Sequence, residues 1–242
     1  MKTFRGALLG CVVLWLVGGT GAYALKINAD YDNFTGTELD VLKDAVKEWA
    51  DLLPCSDSLS IAVNFSCDNN LGDNDLAKTW HWNPDPQGHI TSVDIVMNND
   101  ELYWTLTDPK QWDSSHDNDH DALTVAKHEM GHALGWTVFV GLFDNNVKTV
   151  DGNRFYNMND DNIFNDNDFD LVDNVDCGTH AASSTDLMYA RLPPATRRHP
   201  TVHHAAVLGD AFGYCVVPEP TTMLLVAAGT TGFIWLRRRR RA

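Results

Sequence analysis

Apolar residues recur along the chain with two periods, and the change from one to the other marks its elements. Leu25–Tyr31 alternates as a strand does. Thr37–Leu53 places Leu39, Leu42, Val46, Trp49 and Leu53 at helical spacing behind Thr35 or Thr37 as cap, which predicts an amphipathic helix with its Trp in the core. Leu59–Phe65 is apolar and β-branched. Asp75–Trp82 and Ile90–Met97 predict two more strands, separated by the turn-rich Asn83-Pro84-Asp85-Pro86-Gln87-Gly88. Asp113–Asp121 reads as a polar loop, and Ala122–Trp136 as a second helix. The order up to that point is strand, helix, several strands, helix. Val138–Cys177 follows, packed with Asp and Asn and with little regular periodicity, so it reads as an acidic insertion and not as a second domain.

Both ends depart from this pattern. Residues 1–24 carry Lys2 and Arg5, an apolar run from Ala7 to Val17 and a closing Ala22-Tyr23-Ala24, the three parts of a secretory signal peptide cleaved after Ala24. At the other end Val217-Pro218-Glu219-Pro220 precedes the apolar run Thr221–Leu236 and the block Arg237–Arg241. The run is short but could span or nearly span a bilayer, and the arginines belong on its cytoplasmic side, so the body faces away from the cytoplasm. The tail resembles the PEP-CTERM sorting signal of Gram-negative bacteria. That resemblance implies an exosortase-type processing enzyme as partner, a transient membrane anchor through the C-terminal helix, and delivery to the cell surface or extracellular matrix. A permanent tail anchor is the alternative. The expected organisation is 1–24 signal peptide, 25–216 folded domain with an insertion at about 138–177, and 217–242 sorting signal.

Charge and cysteines narrow the class. Seven of the 18 basic residues lie in the signal peptide and the arginine block (Lys2, Arg5, Arg237–Arg241), and none of the 33 acidic ones do, which leaves 11 against 33 outside those two segments, a balance near −22. That is the opposite of a nucleic-acid footprint and suits solubility or oxygen-rich cation sites. Asp166, Asp168 and Asp170 alternate as calcium ligands can, but an EF-hand counted from Asp166 would need Gly and Glu where Leu171 and Cys177 stand. A solvated acidic loop and a bound Ca²⁺ both remain open for this segment. Cys11 leaves with the signal peptide, and Cys55, Cys67, Cys177 and Cys215 remain, an even number in an exported chain. Sequence proximity favours disulfides Cys55–Cys67 and Cys177–Cys215.

The chemistry sits in His128-Glu129-Met130-Gly131-His132. Two His four apart on a helix leave the same face and can share one Zn²⁺. Glu129 beside the first ligand is then free to act on a zinc-bound water as general base and to pass the proton to a leaving amine.

His128-Glu129-x-x-His132-x-x-Gly135 resembles the start of the metzincin motif, whose third His follows three residues after the Gly. That position is Val138 here, which cannot ligate. Leishmanolysin-like metzincins carry an insertion after the Gly and a third His shortly before their Met-turn. Asp186-Leu187-Met188-Tyr189 is similar to that turn, and His180 stands eight residues before Met188. The resemblance implies His128, His132 and His180 as zinc ligands, Glu129 as catalytic base and Met188 as an apolar floor. It leaves Tyr189 without a role, because the astacin Tyr falls on Ala190. Rival third ligands are His116, His120 and Asp144. His199, His203 and His204 follow the Met-turn, near an expected closing helix at Thr201–Phe212, and His81 and His89 fall in the strand region. In element order Ile90–Met97 takes the place of the family's edge strand, which holds an extended peptide.

The expected fold is therefore α+β, a metzincin-like zincin domain: a twisted mixed sheet, an active-site helix, and a small irregular C-terminal part. The expected function is an exported zinc-dependent endopeptidase acting on a protein or peptide substrate. The alternatives are a non-catalytic zinc-containing surface or matrix binding protein, and a zinc hydrolase of non-peptide amides.

Overall fold

The computed structural model describes residues 25–53, 59–68, 71, 75–108, 111, 115–137, 139–150, 153–158, 169–172, 180–214 and 216. The expected signal peptide, the sorting tail 217–242, Val138, Asp166, Asp168, Cys55, Cys177 and Cys215 lie outside them. Of the cysteines in the two expected disulfides, only Cys67 is described, so neither bridge is seen.

The chain opens with β1 (Leu25–Asp30), α1 (Gly36–Leu52), β2 (Leu59–Cys67), β3 (Ala77–Pro84) and β4 (Ile90–Met97). These strands form one mixed sheet in the order β1-β2-β4-β3, with β1–β2 and β2–β4 parallel and β3–β4 antiparallel. The mixed sheet and its helices are compatible with the α+β expectation. Alternation is clean on β2, where Ile61, Val63 and Phe65 are buried. Strand β4 buries Ile90, Val93, Ile95, Val96 and Met97, as an interior strand must. The expectation that Ile90–Met97 forms the sheet edge is thus corrected: the tight turn Asp85–His89 folds β3 back along its outer side, and β3 is the edge. Turn geometry sets that order, and element order alone does not reveal it.

A 3₁₀ turn (Asn99–Glu101) and short β5 (Leu102–Tyr103) and β6 (His120–Asp121) lead into α2 (Ala122–Ala133). Every residue of α2 is buried. It lies between α1 on one side and β3 and β4 on the other. Trp49 of α1 closes the helix pair by donating from Nε1 to the Lys127 carbonyl at 2.9 Å.

The acidic segment is more regular than its composition predicts. It contains α3 (Gly141–Asp144), β7 (Val147–Val150), β8 (Asn153–Tyr156) and β9 (Phe169–Val172), and β10 (His180–Ala181) completes a second, antiparallel sheet in the order β10-β9-β8-β7. The strands are too short for a periodic signal, and β8 buries two successive residues, Phe155 and Tyr156, which no period-two pattern announces. The chain then runs to α4 (Val202–Phe212), one residue from the expected start.

The N-terminus of α2 is held by an ion pair between a fully buried Asp121 and a partly exposed Arg197. Asp121 caps the helix by accepting from the Thr124 N–H at 3.1 Å and the Thr124 hydroxyl at 2.6 Å. Its two oxygens also receive Arg197, from Nε at 3.1 Å and Nη2 at 2.7 Å, and the same guanidinium reaches the carbonyls of Thr105 and Leu106. Removing Arg197 would strand a fully buried carboxylate, and removing Asp121 would uncap the helix and leave the guanidinium with little water. Asp121→Ala is expected to lower the unfolding free energy by about 3–5 kcal/mol in urea titrations; a loss below about 1 kcal/mol would show the pair to be dispensable.

Candidate metal centre

The centre is built on the end of α2. His128 and His132 leave one face of the helix, and their Nε2 atoms lie 3.1 Å apart. The first residue of β10 brings His180, whose Nε2 stands 3.3 Å from that of His132. All three side chains are buried. This is the one group among the described residues whose His, Cys, Asp or Glu atoms could jointly hold a metal ion.

The second nitrogen of two of these rings settles what the first can do. His128 Nδ1 donates to the Leu187 carbonyl at 2.8 Å, and His132 Nδ1 donates to the Trp136 carbonyl at 2.6 Å. A carbonyl only accepts, so each Nδ1 carries the proton and each Nε2 presents a lone pair. Burial, followed by the neighbouring His132, pushes the His128 pKa down to about 3. Burial, followed by His132 and His128, pushes that of His180 down to about 2. The His128 and His180 rings are therefore neutral at ordinary pH. Lone pairs at such separations repel unless a cation sits among them. Three imidazoles each ~2.0–2.1 Å from one tetrahedral ion would hold their nitrogens about 3.3–3.4 Å apart, close to the spacings seen. The donor set fits a zinc-type ion. His180 Nδ1 is buried with no hydrogen-bond partner among the described residues.

Local sequence explains how the second His is oriented. Helix α2 ends in a Schellman motif: Trp136 N–H donates to Gly131 O and Gly135 N–H to His132 O, both at 3.0 Å. Gly135 has φ 117°, a region closed to other residues at low cost, and a Cβ there would stand 2.2 Å from the Phe212 ring. The turn brings the Trp136 carbonyl back to receive the His132 proton. Gly131 has a separate reason: a Cβ would lie 2.5 Å from Met188 Sδ, so the buried methionine packs against the bare helix surface between His128 and His132.

Glu129 is buried, and burial raises its carboxyl pKa against the pull of His132 and Thr79. The Thr79 hydroxyl donates to Oε2 at 2.6 Å. Thr79 escaped the sequence reading, because a lone Thr in a strand is unremarkable and its contact lies 50 residues away.

The turn after β10 is wired from several directions. Asp186 Oδ1 accepts the Met188 N–H at 2.7 Å and His204 Nε2–H at 2.9 Å. His204 Nδ1 accepts the Thr201 N–H at 2.9 Å, closing a capping box on α4. Arg198 donates to the carbonyls of Ser184 and Asp186. The rival ligands lie elsewhere: His116 pairs with Asp119, His120 engages the Leu192 backbone, His199 pairs with Glu48, and Asp144 is exposed on α3. His81 and His89 pair with Asp94 and Asp85. His203 lies on α4 outside the cluster.

Burial raises the Asp186 carboxyl pKa, but His204, the Met188 N–H and Arg198 together outweigh it, and the net shift is downward. A depressed carboxyl stabilises the fold above its unfolded pKa of about 3.9, and that contribution is lost as pH falls through the lower folded value. Wild type is expected to exceed Asp186→Asn by about 1.5–3 kcal/mol from neutral pH down to about pH 5, with the gap closing below about pH 4 in urea titrations. A gap that widened on acidification would contradict the assignment.

Residues 216–241 match the PEP-CTERM protein-sorting motif. No curated protein matches the chain. The matched segment lies almost wholly outside the described residues, and among those no helix is long and apolar enough to cross a membrane. The motif agrees with the reading of the tail: it marks an exported chain, anchored transiently at the membrane through its C-terminus and recognised by an exosortase-type processing enzyme.

Proposed function

We propose that the chain is an exported zinc-dependent endopeptidase of metzincin-like type. The observation that carries this reading is the convergence of three buried imidazoles, with Nε2 separations of 3.1 and 3.3 Å, beside a buried glutamate. His128, His132 and His180 would hold the zinc. When bound, the ion supplies Lewis acidity, polarising a scissile carbonyl and making water acidic near neutral pH. Three protein ligands leave a coordination position open, as a catalytic site requires and a closed structural site does not.

The remaining work falls to the chain's own groups. Glu129 takes a proton from the attacking water and returns it to the departing amine. Its raised pKa brings it nearer the working range of such a group. His128 and His132 are held in one tautomer by the Leu187 and Trp136 carbonyls. Among the described residues no strand pairs with the side of β3 away from β4, and an extended peptide would add there as a strand.

Glu129→Ala is expected to leave zinc content unchanged while peptide turnover falls by at least about 100-fold. Residual turnover near the wild-type level would remove Glu129 from the mechanism. His180→Ala is expected to lose bound zinc and activity together, measured by elemental analysis after gel filtration and by mass-spectrometric digestion of a peptide library; full metal content would place the third ligand elsewhere. A zinc-loaded wild type that cleaves no peptide would instead favour a hydrolase of non-peptide amides or a binding protein.

A further inference from the structure

Side chains of a regular strand alternate between faces, so residues three apart point to opposite sides. On β3, Thr79 and Trp82 are three apart, yet both meet α2. Thr79 bonds Glu129, and Trp82 Nε1 donates to the His132 carbonyl at 3.1 Å. The strand manages this with a bulge. Trp80 pairs with Asp94 and Asn83 with Ser92, so His81 and Trp82 together oppose Val93 alone. His81 takes φ 55° there and stays on the outer side, stacked on Trp80 and bonded to Asp94 Oδ2 at 2.9 Å. Bulges re-aim side chains in this way. Three residues along the bulged strand then keep step with three along the helix, from Glu129 to His132.

Packing gives no reason for a hydroxyl at position 79. Valine has the same shape and favours strands at least as well. A buried hydroxyl and a buried carboxyl are both costly unless they meet. Thr79 Oγ1 stands 2.6 Å from Glu129 Oε2 and 3.0 Å from the Glu129 carbonyl oxygen, so it faces acceptors of one residue only. The Glu129 carboxylate also takes a hydrogen bond from the Thr79 backbone, so both groups of this one residue hold it.

We propose that Thr79 is a positioning residue for the centre: its hydroxyl pins Glu129 Oε2 and so fixes how the carboxylate is presented to the reacting water. The catalytic half of this statement rests on the hydrolase reading, whereas the pinning of the carboxylate does not.

Two readouts separate them. In cobalt-loaded protein the visible d–d bands report the ion's surroundings, which Glu129 borders. Thr79→Val is expected to shift those bands in the same sense as Glu129→Gln, with metal content unchanged, while Thr79→Ser keeps the wild-type spectrum. With zinc and a peptide library, Thr79→Val is expected to lower kcat about 10–100-fold with KM within about threefold, and Thr79→Ser to restore it. If the Val variant does not fold, Thr79→Ala carries the same expectations. A wild-type cobalt spectrum in the variant lacking the hydroxyl overturns the proposal, whatever its turnover. If the spectral pattern holds but wild type hydrolyses nothing, the positioning stands and the peptidase reading falls. If wild type hydrolyses peptides and the hydroxyl-less variant does so equally well, the catalytic role of Thr79 falls and the peptidase reading stands.

Discussion

A helix buried on every side cannot leave a polar side chain unsatisfied, and α2 carries Lys127, His128, Glu129 and His132. Much of the surrounding structure can be understood as the answer to that demand. Lys127 is met by Glu48 of α1 at 2.6 Å, His128 by the Leu187 carbonyl, Glu129 by Thr79 of β3, and His132 by the Trp136 carbonyl beyond the helix end. Each partner comes from a different stretch of chain, so satisfying this one helix ties the first sheet, the first helix and the C-terminal part together.

The same arrangement divides labour between the two sheets. The first is a stiff mixed platform whose bulged edge reaches the acid. The second, made largely by the acidic insertion, ends in the strand that carries His180. A third imidazole could not come from the residues just after Gly135, where Val138 stands. The insertion is therefore part of the cluster's construction, since it delivers His180 from a hydrogen-bonded strand and not from a free loop. Asp186, Arg198 and His204 then hold the following turn, which sets the Leu187 carbonyl under His128 and Met188 under Gly131.

Much of this was legible in the residues. The first helix and the strand Ile90–Met97 fell where periodicity put them, because amphipathic patterns report burial directly. The spacing of His128 and His132 put both on one helix face for geometric reasons alone. The match to the sorting motif agrees with the tail as read from Pro218-Glu219-Pro220, the apolar run and the arginine block. The insertion was read as irregular, because four-residue strands rich in Asn and Asp carry no usable period. The edge strand was misplaced because strand order depends on where turns send the chain.

Local chemistry therefore determined which side chains could bind a metal and move a proton, and where helices begin and stop. Such properties depend on neighbours within a turn or two. Only tertiary structure decided that His180 joins His128 and His132, that Leu187 and Trp136 carbonyls select their tautomers, and that Thr79 reaches Glu129 across 50 residues. Those contacts arise from the pairing of strands and the burial of one helix, and no window of sequence contains both partners of the distant ones.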